Sequence, residues 1–100
     1  MKLKYIVYWA MIPEHREKAS EIARNKLPEL QKTDDFPKPL TVNYTFPGKK
    51  EGFRLYEVTK PEQIANYCQL FGPLLDIEWV PIQEATIMNA ASEKFGQAWR

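Results

Sequence analysis

Two side chains of this chain have the type and setting that proton-transfer chemistry requires, His15 and Glu57. His15 is the only imidazole, hence the only side chain whose unperturbed pKa lies near neutrality. It stands one helical turn before Ala19 and two before Ile22, at the edge of an apolar stripe, where it would look into the mouth of a pocket and move a proton. A solvent-exposed histidine in a first helical turn fits the same spacing, and there a charged ring gains nothing from the helix dipole. Glu57 sits between Tyr56 and Val58 in a strand-like run. On a buried face, desolvation would raise its pKa and make it a base. The competing reading pairs it with Arg54 or Lys4 across a sheet. No second carboxylate stands at a partnering position, so an acid/base pair is not expected.

Other chemistries lack their residues. One histidine without a plausible nucleophile makes no triad, and no Gly-x-Ser-x-Gly occurs. "PGKKEG" (47–52) lacks the spaced glycines and the Lys-Ser/Thr ending of a phosphate loop. Cys68 is the only cysteine, so with a single histidine no structural zinc site and no internal disulfide can form. No metal is expected. A lone cysteine makes the cytoplasm the natural compartment, and the sequon Asn43-Tyr44-Thr45 has meaning only on secretion.

Charge and length narrow the classes further. The 100 residues carry 14 basic and 13 acidic side chains, net +1, and the densest basic spot, Lys49-Lys50, is followed at once by Glu51. No basic stripe of a nucleic-acid binder is visible. No run approaches the roughly 18 apolar residues of a membrane span. "MKLKYIVYWAMIP" begins like a leader, but Pro13-Glu14-His15-Arg16 follows in place of a cleavage site, so it reads as a first strand. A hydrophobic share of 44% with 13% aromatics describes one globular domain, 1–100, with aromatics to spare for an interface or a pocket.

The elements that would position these residues follow from periodicity. "LKYIVYWAM" (3–11) is a strand apolar on both faces, with Leu3, Tyr5, Val7 and Trp9 on one side and Ile6 and Tyr8 on the other. Pro13-Glu14 opens a helix whose stripe is Ala19, Ile22, Ala23, Leu27 and Leu30; Pro28-Glu29 repeats the start signal, so the helix breaks near Lys26. After a loop over 32–39, "LTVNYTF" (40–46) alternates with Leu40, Val42, Tyr44 and Phe46 in, and "FRLYEV" (53–58) is its hairpin partner. Thr59-Lys60-Pro61-Glu62 fits a capping box, opening a helix with the seam Ile64, Tyr67, Cys68, Phe71 and Leu75. "IEWVPI" (77–82) is again two-faced, and Pro81 assigns it to a sheet edge. A C-terminal helix follows over 86–99.

That order, two split βαβ units, predicts an α+β ferredoxin-like βαββαβ sandwich with both helices on one face of an antiparallel sheet (core 3–84). The helices cover one face, yet the first and last strands are apolar on both. A second copy in a two-fold homodimer is the simplest cover.

"KYIVYWAMIPEHR", "GFRLYEVTKPEQIANY" and "LLDIEWVPI" together make the chain resemble the dimeric α/β-barrel superfamily, and more narrowly a small family within it of uncharacterised function. The 28–39 segment and the helix after residue 85 depart from that pattern. The resemblance implies a dimer whose two sheets close into a barrel, and a ligand cleft between sheet and helices. It places Tyr5, Val7 and Trp9 near that cleft, with Tyr56 and Trp79 beside them, as an aromatic lining for a small planar molecule; plain core packing explains the same residues. Haem-degrading members of the superfamily carry a ligating histidine on the second helix. "PEQIANYCQLF" has none, which disfavours haem, and no other cofactor is implied. A cofactor-free monooxygenase would need converging donors, and strict alternation sends Asn43 to the opposite side from Tyr44. Three functional readings follow. The first is a homodimer binding a small apolar or aromatic molecule. The second is a structural or interaction protein with a filled barrel. The third is a cofactor-free monooxygenase- or isomerase-like enzyme using His15 or Glu57.

Overall fold

The computed structural model describes residues 2–86, an α+β arrangement of one antiparallel sheet and three α-helices. In chain order these are β1 (Leu3–Met11), a 3-10 turn (Pro13–His15), α1 (Arg16–Asn25), α2 (Leu27–Leu30), β2 (Lys38–Pro39), β3 (Tyr44–Thr45), β4 (Glu51–Val58), α3 (Pro61–Phe71) and β5 (Leu75–Ile82). The sheet order is β2-β4-β1-β5, with β3 also paired to β4. β5 ends the order, and Pro81, which has no N–H to give, stands on it opposite Tyr5. The expected C-terminal helix, from residue 87 on, lies outside the described residues.

Register sorts the side chains into two faces. Val7 stands opposite Arg54 on β4 and Trp79 on β5, and Tyr5 stands opposite Tyr56 and Pro81. Because side chains alternate along a strand, odd positions of β1 and β5 share a face with even positions of β4. The helices pack on that face. Val7, Tyr56 and Leu75 join Ala19, Ile22 and Leu27 of the first two helices and Tyr67 and Phe71 of α3 in one core. Every buried residue of β1, β4 and β5 lies on this side. On the other side Ile6, Tyr8, Phe53, Leu55, Val80 and Ile82 range from half-buried to exposed.

The second strand departs from expectation. In place of a continuous 40–46 run, two short ladders share one edge of β4. Lys38 pairs with Glu57, whereas Tyr44 pairs with Phe53. The partner numbers sum to 95 in the first case and 97 in the second, so two extra residues bulge between them. Leu40, Val42, Tyr44 and Phe46 are accordingly exposed and do not enter the core. Leu40 donates its N–H to the Leu55 carbonyl, which places it with Tyr44 on the uncovered face. The turn to β4 is closed by Lys49 N–H on the Phe46 carbonyl, with Pro47 and Gly48 at its centre; Gly48 has φ +77°, the conformation that favours glycine there. Gly52 is required for a different reason. A Cβ there would collide with the Tyr44 carbonyl and stand 2.8 Å from the Trp9 ring.

Two helix details also differ. Thr59-x-x-Glu62 forms no capping box; Gln63, one residue on, turns back so that Oε1 accepts the N–H groups of Thr59 (2.8 Å) and Lys60 (3.4 Å). Its Nε2 donates to the Asp34 carbonyl at 2.9 Å, which ties the 32–37 loop to the helix start and explains a buried glutamine. The α3 seam is centred on Gln63, Tyr67 and Phe71, with Ile64 and Cys68 only half-buried, and Ala23 of α1 is exposed. The break near Lys26 is as expected: Pro28 opens α2 while Lys26 N–H closes α1 on the Ile22 carbonyl.

Candidate functional site

A cavity of about 60 Å³ lies between the sheet and the helices. β1 contributes Trp9 and Met11 to its wall and β4 contributes Arg54 and Tyr56, while Tyr67 and Phe71 close it from α3. The bulge between β2 and β3 completes the polar side. Tyr44 faces the uncovered side opposite Phe53, so alternation sends Asn43 toward the helix-covered face, where Oδ1 accepts the Trp9 indole N–H at 2.9 Å. Arg54 donates Nε–H to the Thr41 carbonyl at 2.8 Å, and the Thr41 hydroxyl accepts the Leu55 N–H at 3.3 Å. The Arg54 guanidinium lies 5.7 Å from the centre of the Tyr56 ring, within cation–π range.

The phenols in this wall stay protonated. Burial pushes the Tyr56 hydroxyl above its ordinary value, with the Arg54 charge pulling partly the other way. Burial likewise pushes up Tyr67, reinforced by the adjacent Tyr56 hydroxyl. Gln31 Nε2 donates to the Tyr56 oxygen at 3.4 Å, leaving its O–H free to donate elsewhere.

Outside the cavity a wider groove of about 620 Å³ shares Trp9 and Met11 with it. The groove is lined by Arg16, Arg24, Lys49 and Lys50 against Glu17 and Glu21. It therefore carries more cations than carboxylates, with Trp9 as its aromatic side.

The sequence-expected residues divide. Trp9 and Tyr56 line the cavity. Tyr5, Val7 and Trp79 lie on the same face but beside it, in an aromatic cluster: Trp79 meets Tyr5 edge-on at 5.7 Å and Tyr67 at 5.3 Å, and Val7 is fully buried. The Trp79 indole N–H is buried without a partner among the described residues. His15 ends the 3-10 turn, half-buried, its N–H on the Ile12 carbonyl, and lines neither the cavity nor the groove. Glu57 is at an odd position of β4, on the uncovered face, opposite Lys4. Lys4 in turn gives its ammonium to Glu84 at 2.8 Å, which holds the lysine above and the carboxyl below their ordinary values. Glu57 is thus on the uncovered face and His15 in the turn after β1, and neither lines the cavity.

Four cavity residues were not among those the sequence pointed to. Arg54 reads only as a charge for Glu57 to pair with, although it shares the parity of Tyr56 on β4. Asn43 reads as outward and apart from Tyr44; alternation holds, and the side opposite Tyr44 is the one the helices cover. Tyr67 reads as seam packing, and Met11 as a strand end. The described residues include no cluster of three or more metal-ligating side chains and no helix long and apolar enough to cross a membrane. Comparison with protein-family models, with curated proteins and with solved structures finds no match to this chain.

Proposed function

We propose that the chain is a ferredoxin-like subunit of a dimeric α/β barrel that holds a small molecule between its sheet and its helices. The observation that carries the reading is the cavity walled by Trp9, Tyr56 and Tyr67, with Asn43 and Arg54 as its polar groups. Apolar walls with a few placed polar groups are the usual make-up of a small-molecule site. The strand order β2-β4-β1-β5, with β2 and β3 as one broken strand, is compatible with the ferredoxin-like order. The homodimer rests on the uncovered face. Phe53 there stacks on Tyr44 at 5.2 Å and meets Phe46 and Tyr8 at 5.9 and 6.1 Å, while Tyr44 stays 48% exposed. An aromatic patch of this kind on one side of a sheet marks an interaction surface, and a second copy satisfies it by two-fold symmetry.

The second reading, a structural or interaction protein with a filled barrel, is favoured by size. A cavity of about 60 Å³ is well below the roughly 150 Å³ that admits a benzene ring. Native mass spectrometry of the purified protein separates the readings. A mass twice the chain's 11.7 kDa, with extra mass lost on denaturation, supports the ligand-holding dimer. A clean dimer favours the filled barrel, and a lone 11.7 kDa species removes the dimer.

A further inference from the structure

The polar atoms of the cavity are of one kind. Trp9 is a donor only, so its bond fixes which end of the Asn43 amide faces it, and the Asn43 NH2 is left over. Arg54 spends Nε on the Thr41 carbonyl and shares its guanidinium with the Tyr56 oxygen, which leaves part of its terminal nitrogens to a ligand. No carboxylate lies within 4.0 Å of it among the described residues, whose ion pairs are Lys4–Glu84, Lys32–Glu29 and Lys49–Glu51. Tyr56 and Tyr67 are held protonated and share a hydrogen bond, so the pair offers one O–H. A cation and several donors facing one small space call for an acceptor bearing negative charge. The outer groove points the same way, with four cations against two carboxylates, although Lys49 shares its charge with Glu51 at 3.7 Å.

We infer that the ligand is a small organic monocarboxylate whose carboxylate seats on Arg54 inside the cavity, while its apolar body lies against Trp9 and Met11 in the groove. The inference rests on the small-molecule reading above and adds the ligand's class and its orientation. Size sets the orientation. About 60 Å³ is too little for a ring but holds a few water-sized volumes, enough for a carboxylate head, whereas the groove of about 620 Å³ accepts the rest. Fork geometry makes arginine the side chain suited to this head.

The test is a titration of the purified protein with benzoate and with benzamide, its neutral isostere, followed by tryptophan fluorescence and by calorimetry, with indole as an uncharged apolar control. Benzoate is expected to bind about ten- to a hundredfold more tightly than benzamide, the span of charge-assisted hydrogen bonds, and to weaken as salt is raised. In Arg54→Met the preference collapses toward unity while indole binding stays. The wild-type comparison stands even if that variant fails to fold. Benzamide or indole binding with no benzoate preference overturns the carboxylate assignment and leaves the small-molecule reading intact. Binding of none of the three probes overturns both.

Discussion

The two faces of the sheet use similar residues to different ends. On the covered face Tyr56, Tyr67 and Phe71 are 2%, 4% and 1% exposed, locked against one another at ring distances of 5.0 to 5.6 Å. On the other face Phe53, Tyr44, Phe46 and Tyr8 keep ring distances of 5.2 to 6.1 Å yet remain open to solvent. Pairwise aromatic geometry is therefore not what distinguishes a buried face from an open one here. The difference is the helix layer, which closes over one side and excludes water, so burial there contributes fully to folding; on the other side the rings are only partly buried among the described residues.

This contrast makes predictions that rank by size. The largest effect belongs to Phe71→Ala, which should lower unfolding free energy by about 3–5 kcal/mol, the usual cost of deleting a buried phenylalanine, as read by urea denaturation. A loss under about 1 kcal/mol would mean the helix-covered layer is not the cohesive one. Alkaline pH comes next. Tyr56 and Tyr67 have folded pKa values raised above the unfolded value of about 10. The folded state then keeps protons that the unfolded state releases. Their contribution is fully present below pH 10 and is lost as pH rises above it. Thermal melts should fall steeply above pH 10, and Tyr67→Phe should flatten that fall; an unchanged slope would contradict the buried phenols. The smallest effect on the fold belongs to Phe53→Ser, at about 1 kcal/mol or less for a partly exposed side chain, yet it should shift the native mass from dimer to monomer. If it destabilises as much as Phe71→Ala and leaves the mass unchanged, the second face is closed within the chain.

The strands were the most legible part of the sequence. β-branched and aromatic runs marked 3–11, 53–58 and 77–82, each within two residues of the observed element. The order of elements also placed both helices on one face of the sheet, where they pack. The 40–46 segment was misread because a pattern of period two reports which side chains share a face, not which face the helices cover. Leu40 and Tyr44 do share a face, the uncovered one, and two bulged residues break the ladder without changing parity. The candidate site suffered from the same cause. Trp9 and Tyr56 were legible as helix-facing aromatics. Asn43 was assigned to the outward face, and Arg54, although it shares the parity of Tyr56, was read only as a charge for Glu57 to pair with. Gln63 was passed over for Thr59 and Glu62, since the sequence motif does not say which side chain can also reach the Asp34 carbonyl.

Local chemistry thus determined what each segment is. Proline and glycine placed the breaks at Lys26 and Gly48, and branched and aromatic side chains chose strand over helix. Tertiary structure alone decided which residues meet. Register, a two-residue bulge and one layer of helices brought Arg54, Asn43, Trp9 and Tyr67 around one cavity, and left Glu57 on the far side of the sheet. The physical reason is that segment type follows from interactions a few residues apart. A site is made by strands whose relative positions are fixed only when backbone ladders and packed side chains close together.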